Sequence, residues 1–181
     1  MCLNRTDYSV LVALALTLLS VFTLAGLVLS SLSGWALSHA LGGSTTAARH
    51  IALAVPTVLF SLFTQSMILF FFIGTGKMLK EAAAKRPDAT GRDYILTRVR
   101  GFKLRTSALC TFAPLSALAT GLLGVTAHTG RTPAWLHFVA AAGCVLLHVV
   151  AFGREVVAMA ATNQLMDEAA TLVPPAPDGA A

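Results

Sequence analysis

The chain has 181 residues, 56% of them hydrophobic and only 12% charged, with a formal net charge of +5. A soluble domain carries about a quarter charged residues, so this composition excludes an ordinary water-soluble globule and points to lipid as the solvent. The positive charge is not a nucleic-acid signature, because nine of the thirteen Lys and Arg fall between Lys77 and Arg105 and the rest are scattered.

No Asp, Glu, Lys or Arg occurs from Tyr8 to Ala48, from His50 to Gly76, from Thr106 to Gly130 or from Thr132 to Gly153. Crossing the hydrocarbon core takes about 20 helical residues, so four spans are predicted, at approximately 8–30, 50–73, 107–127 and 134–153. The first is too long for a cleaved signal core of about 7–15 residues and is expected to be retained. Helices are expected throughout, since lipid offers backbone groups no partners and the runs lack the alternation of barrel strands. The expected fold is an all-α integral membrane protein: a four-transmembrane-helix bundle in one membrane domain, 1–172, with a disordered Pro- and Ala-rich tail at 173–181.

By the positive-inside rule the basic loop 77–105 lies in the cytoplasm, and four crossings then put both termini there too. A bacterial inner membrane is the expected location. Trp35 and Trp135 fall at the outer interface, where amphipathic rings are favoured. The second helix is expected to leave the membrane through Lys77 to Arg86 and stop at Pro87. From Asp93 a new helix is expected, with Ile95, Val99 and Phe102 on one side. It either lies on anionic lipid, through Arg98, Arg100, Lys103 and Arg105, or packs its apolar face on the protein's own helix ends. The fourth helix is expected to run on to about Thr171. The outer link from His128 to Pro133 is short and makes the third and fourth helices antiparallel neighbours.

Polar residues inside a membrane are costly and so carry most of the information. In the second span His50, Thr57, Ser61, Thr64 and Gln65 share one face. In the fourth, His137, Ala141, Cys144, His148 and Glu155 do the same, and in the third Ala113, Ala117, Gly121, Gly124 and His128 form a small-residue stripe suited to close helix packing. Helix counting puts Gln65 and His148 at a similar depth and predicts that they bond to each other.

His50, His128 and His137 all fall at outer helix ends, with His39 in the outer loop, so three imidazoles at one depth are a candidate transition-metal site. With His148 and Gln65 beneath them they are also the candidate residues for haem b or a quinone headgroup. A two-haem, all-histidine design lacks its second inner ligand. Gly74, Thr75, Gly76 and Lys77 do not make a nucleotide loop, because the earlier glycine and the following Ser or Thr are missing. Cys2, Cys110 and Cys144 give no disulfide framework, and no Ser-His-Asp set, intramembrane carboxylate pair or Cys-x-x-Cys supplies an enzyme mechanism.

The expected role is a subunit or accessory protein of a membrane complex, of the electron-transfer type if the histidines hold a cofactor. Its partners would be lipid, other membrane proteins or further copies of itself, and neither nucleic acid nor nucleotide. The alternatives are a haem-, metal- or quinone-binding redox protein using the outer histidines, and a small oligomeric transporter or channel along the Gln65 and His148 stripe.

Overall fold

A computed structural model describes residues 5–39 and 44–171, with side chains from 8–36 and 47–171. The order is α1 (Arg5–His39), α2 (Ser44–Ala84), α3 (Ala89–His128) and α4 (Ala134–Thr171). Cys2, the His39 side chain, Gly42, Gly43 and the tail 173–181 lie outside what is described. All four helices are long and apolar enough to cross a membrane. They contain the four expected spans, with α1 continuing well beyond Ser30.

The helices are longer than a bilayer needs. The 40 residues of α3 make a rod of about 60 Å, roughly twice the hydrocarbon thickness of about 30 Å. The excess gathers at the end bearing residues 77–105, here the basic end. There Leu79 and Ala83 of α2, Ile95 and Val99 of α3, and Leu165, Met166 and Ala169 of α4 bury one another, with Phe102 packed alongside. No described α1 residue takes part, because the first described α1 side chains, Tyr8 and Ser9, lie level with Thr75 and Met78 of α2; a short three-helix stem therefore projects beyond a four-helix body. Where α1 begins, Tyr8, Val12, Phe70, Phe71, Thr75 and Met78 line an open groove of about 540 Å³.

The stem corrects one expectation. No separate helix starts at Asp93: α3 runs unbroken from Ala89, with Asp88 as its N-cap accepting from the Gly91 amide at 2.8 Å. The Ile95 and Val99 face is turned to α2 and α4, and Arg98, Arg100, Lys103 and Arg105 are exposed on the other side. A helix-period apolar stripe finds its partner in the neighbouring helix extensions, so it has no need of a lipid surface.

Around the body, α1 touches α2 and α4, and α3 touches α2 and α4; α2 and α4 also meet across the middle, whereas α1 and α3 do not touch. Leu16, Ile68, Phe71, Cys110, Phe152 and Met159 form the central core, and Leu27, Ala117 and Cys144 a smaller one toward the far end. At that far end α3 turns into α4 in five residues. Gly130 takes a left-handed φ of 72°, and the Arg131 amide returns to the Thr126 carbonyl at 2.9 Å.

Candidate functional site

Polar side chains of α2 and α4, half-buried at one end and fully buried further in, fall into three levels along these two helices. The uppermost, at the end remote from the stem, holds two imidazoles. His50 of α2 faces α1: its Nδ1 is 2.9 Å from Ser33 Oγ, whose own proton goes to the Ser30 carbonyl at 2.8 Å. His137 of α4 faces α3, with Nδ1 3.1 Å from the Thr120 carbonyl. Both rings thus donate through Nδ1, and Nε2 is the basic nitrogen of each neutral ring. Each ring also lies over a neighbouring glycine. A Cβ on Gly34 would come 3.0 Å from His50 Cε1, and one on Gly124 2.9 Å from His137 Cε1. The two ring centroids are 6.3 Å apart, edge to face.

His128 does not join them. It is exposed at the end of α3, and no three His, Cys, Asp or Glu among the described residues come together as a metal-holding group. The outer set among the described side chains therefore contracts to a pair, with His128 exposed on the last residue of α3.

The middle level is built on His148, which is fully buried. Its Nδ1 lies 2.8 Å from the Cys144 carbonyl one turn back on α4, which fixes the proton on that nitrogen. Nε2 therefore accepts from the Ser61 hydroxyl of α2 at 2.8 Å. Phe152 stands edge-on at 5.6 Å. The expected bond from Gln65 to His148 is not made: Ser61, one turn earlier on α2, takes that place.

Gln65 instead reaches the third level and Glu155. Its Nε2 donates to Glu155 Oε2 at 3.3 Å, and Cys110 of α3 places its thiol 3.3 Å from Oε1. Glu155 is fully buried and Gln65 is 1% exposed. Helix counting misjudges these depths because it starts from span ends set by hydropathy alone, which close the fourth span at Gly153 and leave Glu155 outside. The signal is present in the sequence: Glu155 follows His148 by seven residues on the same face, and the apolar run resumes directly after it with Val156, Val157, Ala158 and Met159.

Further bonds tie the flanking helices to these two. Thr23 of α1 meets Thr64 of α2 at 2.9 Å between hydroxyls, and Thr120 of α3 reaches the Ala140 carbonyl of α4 at 3.3 Å. In the small-residue stripe of α3, Ala113 and Ala117 are buried and Gly124 carries the His137 ring, whereas a methyl group added at Gly121 would meet nothing within 4 Å. Chemically, α2 and α4 offer two oriented imidazoles at one end and a carboxyl held by neutral donors in the interior. The fold and the site together define a helical bundle with four membrane-length helices and an ionisable core. Compared with protein-family models, with curated proteins and with solved structures, the chain finds no match.

Proposed function

We propose that this protein is a multi-pass subunit or accessory protein of a membrane assembly, with its stem and both termini in the cytoplasm, and that it works by packing against a partner membrane protein. The observation that supports this reading is the outward face of α4. Val139, Gly143, Leu146, Val150, Gly153 and Val157 follow one another at three- and four-residue steps along it, and all are exposed. A glycine in a helix interior costs about 1 kcal/mol relative to alanine. Among the described residues no neighbouring helix comes within 4 Å of a methyl group placed on Gly143 or Gly153, so none of them uses the space they leave. A second helix backbone approaching closely would use it, since lipid gives no hydrophobic drive for association and close packing must supply the attraction.

The test is purification in mild detergent with Gly143→Leu and Gly153→Leu variants. Loss of a co-purifying membrane protein, with the variants as stable as the parent, is the expected result. A parent isolated as a partner-free monomer would sink the reading, and a dimer of the chain with itself would replace it by self-association.

A second reading, a redox protein binding haem, a metal or a quinone, is favoured by the His50 and His137 pair. Both rings are oriented by a donated Nδ1 proton, which is how ligating histidines are held. An absorption spectrum and metal analysis of the native-membrane protein test it. A Soret band or stoichiometric metal that disappears in His50→Ala and His137→Ala is expected on this reading, and its absence in the parent counts against it.

A further inference from the structure

Glu155 is the one acidic side chain among the described residues that is fully buried, and it is buried against neutral groups. From α2 it meets the Gln65 amide, and from α3 the Cys110 thiol. The core cluster around Cys110 brings Leu16 of α1 and Phe152 and Met159 of α4. His148, two turns along α4, is engaged by Ser61 and the Cys144 carbonyl. Arg154, next in sequence, is exposed. The ion pairs among the described residues, Lys77 with Glu81, Arg86 with Asp88 and Arg92 with Asp93, are all in the basic stem.

A carboxylate in such a place is stripped of water without a compensating charge, so a positive charge must accompany it or a proton must remove its own. A metal ion is a poor fit. Hard cations need several oxygen ligands, whereas both Glu155 oxygens are approached by donors, an N–H and an S–H. A proton fits. The Gln65 Oε1 atom is buried without a partner, so an acceptor is spare within the same side chain that touches Glu155. Amide oxygen and nitrogen exchange places by a simple rotation, which lets Gln65 accept from a protonated Glu155 and donate to an ionised one. Thr106 on α3, one turn from Cys110, and Thr162 on α4, two turns from Glu155, are buried hydroxyls on the same faces toward the basic end.

From this geometry we infer that Glu155, gripped by Gln65 and Cys110, is an intramembrane binding site for a single exchangeable proton. The bound form is the carboxylic acid, and release of the proton leaves the carboxylate facing the Gln65 N–H and Cys110 S–H. Neither step needs a redox partner.

The full-length protein in lipid vesicles tests this by infrared difference spectroscopy against pH, in sodium and in potassium buffers. A carboxylic acid carbonyl band at neutral pH is expected. It should be absent in Glu155→Gln, displaced in Cys110→Ala and Gln65→Leu, lost at alkaline pH and indifferent to the cation. A band retained in Glu155→Gln, or carboxylate absorption alone down to mildly acidic pH, overturns the proposal, and so does a band governed by sodium. Labelling of the unaltered protein with an apolar carbodiimide is independent of any variant's folding. The acid adds across one C=N bond, its oxygen bonding to carbon and its proton passing to nitrogen, so only the protonated form reacts. Mass spectrometry should find the adduct on Glu155 at neutral pH and less of it as pH rises; an unlabelled Glu155 across the range counts as refutation.

Discussion

The consequences of removing a single polar side chain differ by site in this protein. Ser61→Ala takes away the hydroxyl donor facing His148 Nε2 and leaves a fully buried acceptor unpaired. Hydrogen bonds between membrane helices average about 0.6 kcal/mol and reach about 1.7, and the stranded nitrogen places this loss at the upper end. Chemical unfolding in micelles should show a drop of about 1–2 kcal/mol, with Ser61→Thr close to the parent. The glycines divide in the same way. Gly124→Ala drives a methyl to 2.9 Å from a ring pinned by the Thr120 carbonyl, so nuclear magnetic resonance of the imidazole should report a displaced His137 and an unaltered His148. Gly121→Ala meets nothing and should be neutral or stabilising by up to about 1 kcal/mol. The sequence displays such residues as stripes, because helical arithmetic assigns faces. It does not display the stagger between two helices, which is why helix counting pairs His148 with Gln65 although Ser61 is its neighbour.

At the scale of the helix, the start of α3 shows how a terminus is held. Asp88 caps α3, accepting from Gly91 and from Arg86 Nε at 2.9 Å. The Arg86 guanidinium beside it, first of all, and the Gly91 amide hold its carboxyl below the usual carboxylate range. A depressed acid stabilises the fold above its unfolded pKa, and that contribution fades as pH falls through the folded value. The amides of the first turn of α3 should therefore exchange faster with solvent hydrogen only in strongly acidic solution, whereas Asp88→Ala should show fast exchange there at every pH. Gly91→Ala sets its methyl against the Asp88 carboxylate and the Arg86 guanidinium, so these side-chain ends must move and the cap should weaken. In the stem, Ile95→Ala should cost about 2–5 kcal/mol and loosen α3 from α2 and α4 near Leu79 and Leu165, leaving exchange in the body unchanged. The four helices are legible from charge-free runs alone. Their extensions are half legible: the endings of α2 and α4 show in Pro87 and in the run up to Thr171, and the Ile95, Val99 and Phe102 stripe shows a helix after Asp93, but the charge between Arg92 and Arg105 hides that this helix starts at Ala89 and runs unbroken into the third span.

For the molecule as a whole, charge placement carries the proposed orientation. Arg98→Cys in a Cys2→Ser background places a thiol on the exposed side of the stem, while Cys110 and Cys144 stay buried. A membrane-impermeant thiol reagent should label it in inverted vesicles and not in intact cells; the reverse pattern would turn the proposed topology over. The body's cross-section has its own consequence. Four helices whose α2 and α4 meet while α1 and α3 stand apart make a rhombus, and the short diagonal is the one bolted by Ser61 to His148 and by Gln65 to Glu155. A square arrangement leaves a lumen on its axis; here that axis is filled by Ser61, Gln65, Ile68, His148 and Glu155, each at most 1% exposed. α1 occupies an acute corner and is joined to the diagonal through Thr23, Ser33 and apolar contacts. Because α1 and α3 do not pack on each other, each is held in the bundle only through the α2 and α4 diagonal.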